Sequence, residues 1–116
     1  LSVHLHLTDE TRHIIDQRRL DLMKPTSYLI NVARGALVDE DALLTSLQEG
    51  KIAGAGIDAY GQEPLDPSWP IFKLPNVITT NHISGATDGT WRKRCECSAE
   101  NVDRIAAGLE PLYRVD

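Results

Sequence analysis

The chain has 116 residues, 41% hydrophobic and 25% charged, which is about one domain's length and the composition of an ordinary globular protein. Its formal net charge of −5 argues against nucleic acid or an anionic membrane surface as a general partner, since neither is attracted to an acidic surface. No apolar run approaches the roughly 20 residues needed to cross a bilayer, and no signal peptide is visible.

The opening "LSVHLHL" (1–7) alternates like a strand. It has no initiator methionine and no cap or turn before it, which predicts that the chain is part of a longer protein. "TDETRHIIDQRRLDLM" (8–23) predicts one or two short helical pieces, with Thr8 as cap and Asp9 and Glu10 in the first turn; "KPT" stops them. "SYLINVA" (27–33) is a second strand, apolar enough to be covered on both faces. "VDEDALLTSLQEGK" (38–51) is the clearest helix: Asp39 caps it, acids fill its first turn, Leu43, Leu44 and Leu47 form a stripe, and Gly50 ends it. "IAGAGIDAY" (52–60) is a third strand whose glycines let a neighbouring backbone or ligand approach closely. A proline-rich loop covers 61–76, and "VITTNHIS" (77–84) is a fourth strand.

A long helix is predicted from Asp88 to Ala107, with Trp91, Cys95, Ala99, Val102 and Ile105 along one face and Gly108 closing it. Cys95 and Cys97 lie on different faces of that helix, which disfavours a disulfide or a zinc pair and fits a reducing, cytoplasmic-type compartment. Strands alternating with helices place the chain in the α/β class, with a parallel sheet built from right-handed βαβ units.

In open parallel sheets, ligands bind at the carboxyl ends of the strands. The last three predicted strands place Arg34, then Asp58 and Glu63, then His82 on that edge. Each residue alone has a plain structural reading: Arg34 as a bridge between loops, Asp58 fixing a turn, Glu63 as solvated surface, His82 as a structural histidine. Their convergence from three strands is the stronger signal. A histidine beside a carboxylate is suited to general acid/base work, because imidazole titrates near neutrality. An arginine beside that pair can clamp a substrate carboxylate in bidentate fashion. Such a site suits a small 2-oxo or 2-hydroxy acid. His4 and His6 share a strand face and have the types needed for a metal pair, but an edge-strand role fits them better; His13 reads as helix surface, and no metal is expected.

"NVARGALVDEDAL", "AGAGIDAYGQEP" and "LPNVITTNHISGAT" closely resemble motifs of the D-isomer-specific 2-hydroxyacid dehydrogenases, in the right order over nearly the whole chain. The resemblance implies the second half of a Rossmann-type, doubly wound dinucleotide-binding domain, so that residues 1–116 are a partial domain lacking its first half and the separate substrate domain. It implies an oxidoreductase using NAD or NADP and a homodimeric parent, with the 116-residue piece inactive alone. It further implies that Arg34 binds the substrate carboxylate, His82 donates the proton, and Glu63 pairs with His82. Asp58 would hold the nicotinamide carboxamide, Val32, Ala33, Arg34 and His82 would line the cofactor pocket, and Gly85 would let the backbone pass close to the cofactor. The chain departs from the family at His6 and Asn81, where proline is usual, and at "AYGQ", where an aromatic and an acid are usual. No G-x-G-x-x-G occurs, so the choice between NAD and NADP stays open. A second reading, a cofactor-sensing binding protein or corepressor on the same fold, stays open too.

Overall fold

A computed structural model describes residues 1–115 and divides into two compact units, Leu1–Ser84 and a second beginning at Gly85. The first unit holds β1 (Ser2–Val3), α1 (Gln17–Leu20), β2 (Tyr28–Asn31), α2 (Glu40–Gln48), β3 (Gly54–Ile57) and β4 (Val77–Thr79). The four strands form one parallel sheet in the order β1-β2-β3-β4. This is the α/β architecture expected from the alternation of strands and helices.

α2 forms because both of its ends are coded locally. The Asp39 side chain accepts a hydrogen bond from the Ala42 N–H at 3.1 Å, and Glu40 and Asp41 sit in the first turn, where the helix dipole favours negative charge. Gly50, at φ +67°, takes the left-handed conformation that closes the helix. Leu43 and Leu47 of α2 and Leu20 of α1 pack with Leu29, Ile52 and Ile57 in one core. Each such side chain contributes roughly 1.5–3 kcal/mol when fully buried.

Several elements are shorter than predicted. The strand expected over 1–7 pairs only at Ser2–Val3, because its partner β2 ends at Asn31, and Leu5 and Leu7 are exposed. Of the one or two short helical pieces expected over 8–23, one forms, α1. Residues 9–13 make turns instead, with the Thr11 and Arg12 N–H groups bonded to the Thr8 carbonyl. After them Ile15 bridges Val38, with Ile15 N–H bonded to the Leu37 carbonyl and Asp39 N–H to the Ile15 carbonyl. The strands expected over 52–60 and 77–84 are regular only at Gly54–Ile57 and Val77–Thr79; beyond these points side-chain hydrogen bonds, described below, replace the ladder.

β2 is also covered on one face only. Leu29 and Asn31 are buried, whereas Tyr28 and Ile30 are exposed, as is Ile78 on β4. These exposed side chains share one sheet face, and the β3 glycines lie beneath them. The Ile30 Cδ1 lies 3.0 Å from where a Gly56 Cβ would stand, and the Tyr28 ring comes within 3.1 Å of a Gly54 Cβ. The close neighbours of these glycines are therefore side chains of the adjacent strand, together with the Asn76 carbonyl at Gly54.

The second unit contains α3 (Asp88–Ala106). Thr87 caps it by accepting from the Thr90 N–H at 3.2 Å, and Gly108 follows its end at φ +73°. Asn101 anchors the following segment by exchanging hydrogen bonds with the Leu112 main chain, at 2.6 and 3.3 Å. The predicted apolar face has helical spacing, but no α3 residue is buried, and Trp91, Val102 and Ile105 are all exposed. Both cysteines are free thiols. Among the described residues no helix is long and apolar enough to cross a membrane.

Candidate active site

The tip of β2 is shaped by Asn31, which is buried. Its Oδ1 accepts from the Ala33 N–H at 3.2 Å and its Nδ2 donates to the Arg34 carbonyl at 2.9 Å, closing an Asx-type turn. That turn throws the Arg34 side chain out into solvent. Its guanidinium donates from Nη1 to the Ala33 carbonyl at 2.6 Å and makes no ion pair among the described residues. Most of its five donors remain available for an anion. Glycine follows at once because the main chain of Tyr60 and Gly61 passes directly over Gly35. A Cβ there would lie under 3.0 Å from Tyr60 C, Tyr60 O and Gly61 N. Residues Val32, Ala33 and Arg34 line a cavity of about 390 Å³ together with residues 4–7.

At the tip of β3, Asp58 is only 2% exposed. Its Oδ1 accepts from Thr80 Oγ1 at 2.5 Å and from the Ile83 N–H at 2.8 Å, and its Oδ2 accepts from the Ser84 N–H at 2.9 Å. Burial alone would push this carboxyl's pKa up; hydrogen bonds from Thr80, Ser84 and Ile83 outweigh it and hold the group far below the usual range. The segment 80–84 therefore wraps around Asp58 instead of continuing as strand.

That segment presents His82 at φ +54°, a left-handed conformation that costs a non-glycine residue on the order of 1–3 kcal/mol and persists only when its surroundings enforce it. The His82 Nδ1 lies 2.9 and 3.0 Å from the two Glu63 carboxylate oxygens. Glu63 also accepts from the Tyr60 N–H at 3.1 Å. The His82 hydrogen bond first, and the Tyr60 N–H second, hold the Glu63 carboxyl below its ordinary range, and Arg34 adds a weaker Coulombic pull. Both side chains of the pair are about 40% exposed, so solvent screens their charge interaction.

Glu63 and His82 are thus in direct contact, Asp58 organises the His82 loop, and Arg34 is close enough to act on Glu63 electrostatically. Gly85 falls in the second unit, where an added Cβ would meet only the Arg94 guanidinium at 3.7 Å; packing gives no reason for glycine there. The His4 ring bonds to Ser2 Oγ at 2.7 Å, and no group of three or more metal-ligating side chains exists among the described residues. Two contributors escaped sequence reasoning. Thr80 and Tyr60 look like ordinary strand residues, and only their hydrogen-bond partners reveal them.

A parallel sheet with an arginine, an anchored carboxylate and a carboxylate–imidazole pair at its strand tips defines the ligand-binding edge of a nucleotide-binding α/β domain. More particularly, the chain belongs to the D-isomer specific 2-hydroxyacid dehydrogenase family, whose NAD binding domain matches residues 1–84. It is 45% identical over 111 residues to the glyoxylate reductase of Thermofilum pendens, an alignment covering 96% of this chain and 33% of that protein. The structure of D-lactate dehydrogenase with NAD+ from Lactobacillus jensenii superposes with a TM-score of 0.88 at 31% identity, over 99% of this chain and 38% of that one. A D-isomer specific 2-hydroxyacid dehydrogenase from Xanthobacter autotrophicus in complex with NADPH gives 0.77 at 38% identity, over 99% and 47%. The chain spans about a third of the length of the curated relatives it matches.

Proposed function

We propose that the complete protein carrying this chain transfers a hydride between NAD or NADP and a small 2-oxo or 2-hydroxy acid, specific for the D isomer. In this reading the chain is a partial dinucleotide-binding domain. The observation that carries it is the Glu63–His82 contact at 2.9 Å, on the sheet edge that also presents Arg34.

The residues present fit a nicotinamide cofactor. Val32 and Ala33 are apolar residues that line a cavity together with Arg34, and the family resemblance alone supports a role for Gly85. Asp58 reaches a carboxamide only by sharing a carboxylate already engaged by the His82 loop. When bound, the nicotinamide supplies or accepts the hydride. Arg34 holds the substrate carboxylate with its planar fork. Glu63 occupies His82 Nδ1, which leaves Nε2 as the nitrogen that gives a proton to the carbonyl oxygen in reduction and takes one from the hydroxyl in oxidation. The relative named glyoxylate reductase supports a small 2-oxo acid as substrate. The 116 residues alone offer one wall of such a site and are inactive in this reading.

The test is oxidation of NADH or NADPH by the complete protein with glyoxylate, hydroxypyruvate or pyruvate. His82→Ala lowers kcat by roughly 10²–10⁴-fold, and Arg34→Lys mainly raises KM. Absence of turnover with every 2-oxo acid, or parental kinetics in both variants, refutes the proposal. The reading includes a cytoplasmic homodimer that binds neither nucleic acid nor membrane; the family resemblance supports the dimer, and the free thiols and net charge of −5 support the rest. Sedimentation and cell fractionation check both.

A further inference from the structure

We propose that Tyr60 is a positioning residue for the Glu63–His82 pair, holding both members at once through two different parts of itself. The inference rests on the acid/base reading above. The Tyr60 N–H donates to Glu63 Oε1 at 3.1 Å. Its hydroxyl donates to the Thr80 carbonyl at 2.7 Å, with the Ile57 carbonyl at 3.1 Å as a second acceptor. Thr80 lies just beyond β4, two residues before His82, whereas Glu63 lies in the loop after β3. One residue therefore links two segments that belong to different strands and carry the two halves of the pair.

The ring is well fixed. Tyr60 is 6% exposed, meets Trp69 edge-on at 6.3 Å and lies tilted against Phe72 at 6.5 Å. Packing explains an aromatic ring at this position but not its hydroxyl, since phenylalanine would fill the same space. The hydroxyl instead holds the Thr80 carbonyl, on the N-terminal side of His82. Asp58 holds the Ile83 and Ser84 N–H groups on the other side. Between these two anchors His82 keeps φ +54°.

The test is Tyr60→Phe in the complete protein, which retains the ring and the N–H and removes only the hydroxyl. In histidine-labelled protein the His82 Nδ1 resonance, assigned by its loss in His82→Ala, reports the bond to Glu63 without any need for turnover. That resonance shifts in Tyr60→Phe, and kcat for 2-oxo acid reduction falls roughly 2–10-fold, the worth of one hydrogen bond, with the KM for cofactor unchanged. In a Glu63→Ala background, where no side chain is left to pair with His82 Nδ1, the further loss from Tyr60→Phe vanishes. An unmoved resonance with parental kcat overturns the inference, as does an equal loss in both backgrounds. A shifted resonance in a protein without turnover leaves the brace standing and refutes the proposed activity instead.

Discussion

Gly35→Ala tests the architecture at the point where the two site-bearing loops touch. A single added methyl would lie under 3.0 Å from three main-chain atoms, Tyr60 C, Tyr60 O and Gly61 N. None of these can swing aside as a side-chain end can, and carbon atoms pack at about 3.5–4.0 Å. The chain at 60–61 must therefore retreat by roughly 1 Å or more, or the turn after Arg34 must open. Overpacking a core ordinarily costs about 1–3 kcal/mol, and two opposed backbones place this case at or above the upper end. The same retreat drags the Tyr60 N–H from Glu63 and the Gly61 N–H from Glu40, to which it donates at 2.7 Å. Urea unfolding of the complete protein should give a loss of about 3 kcal/mol, with a fall in kcat in the fraction that stays folded. Gly89→Ala is the control, because nothing lies within 4 Å of a Cβ there; in a helix this exchange gains up to about 1 kcal/mol. Parental stability in Gly35→Ala would refute the close approach of the two segments.

Glu63→Gln removes the carboxylate that pairs with His82 Nδ1 while keeping its shape. The His82 hydrogen bond holds the Glu63 carboxyl below the ordinary range, so 2-oxo acid reduction by the parent declines only where pH falls below that range and Glu63 takes a proton, and the variant lacks this acid limb; a pH–rate profile overlaying the parent's rules out Glu63 as the partner. The same substitution changes stability by less than about 1 kcal/mol, as expected of an exposed pair, which denaturant titration checks. Asp58→Asn costs about 1–3 kcal/mol at neutral pH by weakening the bonds that shape 80–84. The depressed carboxyl contributes stability that is fully present above its unfolded pKa of about 3.9 and is lost as pH falls toward its folded value. The parent's stability thus declines below about pH 4 more steeply than the variant's, and equal acid slopes would contradict the buried, hydrogen-bonded state of Asp58.

Features coded by single residues were legible in the sequence. Asp39 as a cap, and Gly50 and Gly108 as helix stops, each act through local backbone chemistry that no distant contact overrides. The arrival of Arg34, Asp58, Glu63 and His82 at one edge was legible for another reason: parallel strands deliver their C-terminal tips to one side, whereas the pairing of Glu63 in particular with His82 rested on the family resemblance. Element lengths were not. The alternation in 1–7 continues past Val3, but the ladder stops because Asn31 turns its own backbone, and a side chain-to-backbone hydrogen bond leaves no periodic trace. Within 8–23 one short helical piece forms, α1, and its late start owes to the Ile15–Val38 bridge, a tertiary contact spanning two segments. Apolar letters in 27–33 did not distinguish two-sided from one-sided burial. Tyr60 stood only as the last residue of the third predicted strand, since the partner of a hydroxyl is invisible until the fold exists.

The two carboxylates at the site show how one sheet edge separates folding work from chemistry. Asp58 sits out of solvent with its oxygens committed to Thr80, Ile83 and Ser84, so its charge is stabilised by fixed donors and it shapes the loop. Glu63 is 41% exposed, and water screens its attraction to His82. The chain therefore supplies geometry at this pair more than energy. Coulombic attraction scales inversely with the local dielectric, so in the proposed function the same 2.9 Å contact would strengthen several-fold once substrate and cofactor displaced the water around it. A pair too strongly coupled in the open state would hold its proton against transfer; one without a fixed distance would gain nothing from desolvation. Anchoring both halves to the β3 and β4 tips, and leaving the contact itself wet, satisfies both requirements.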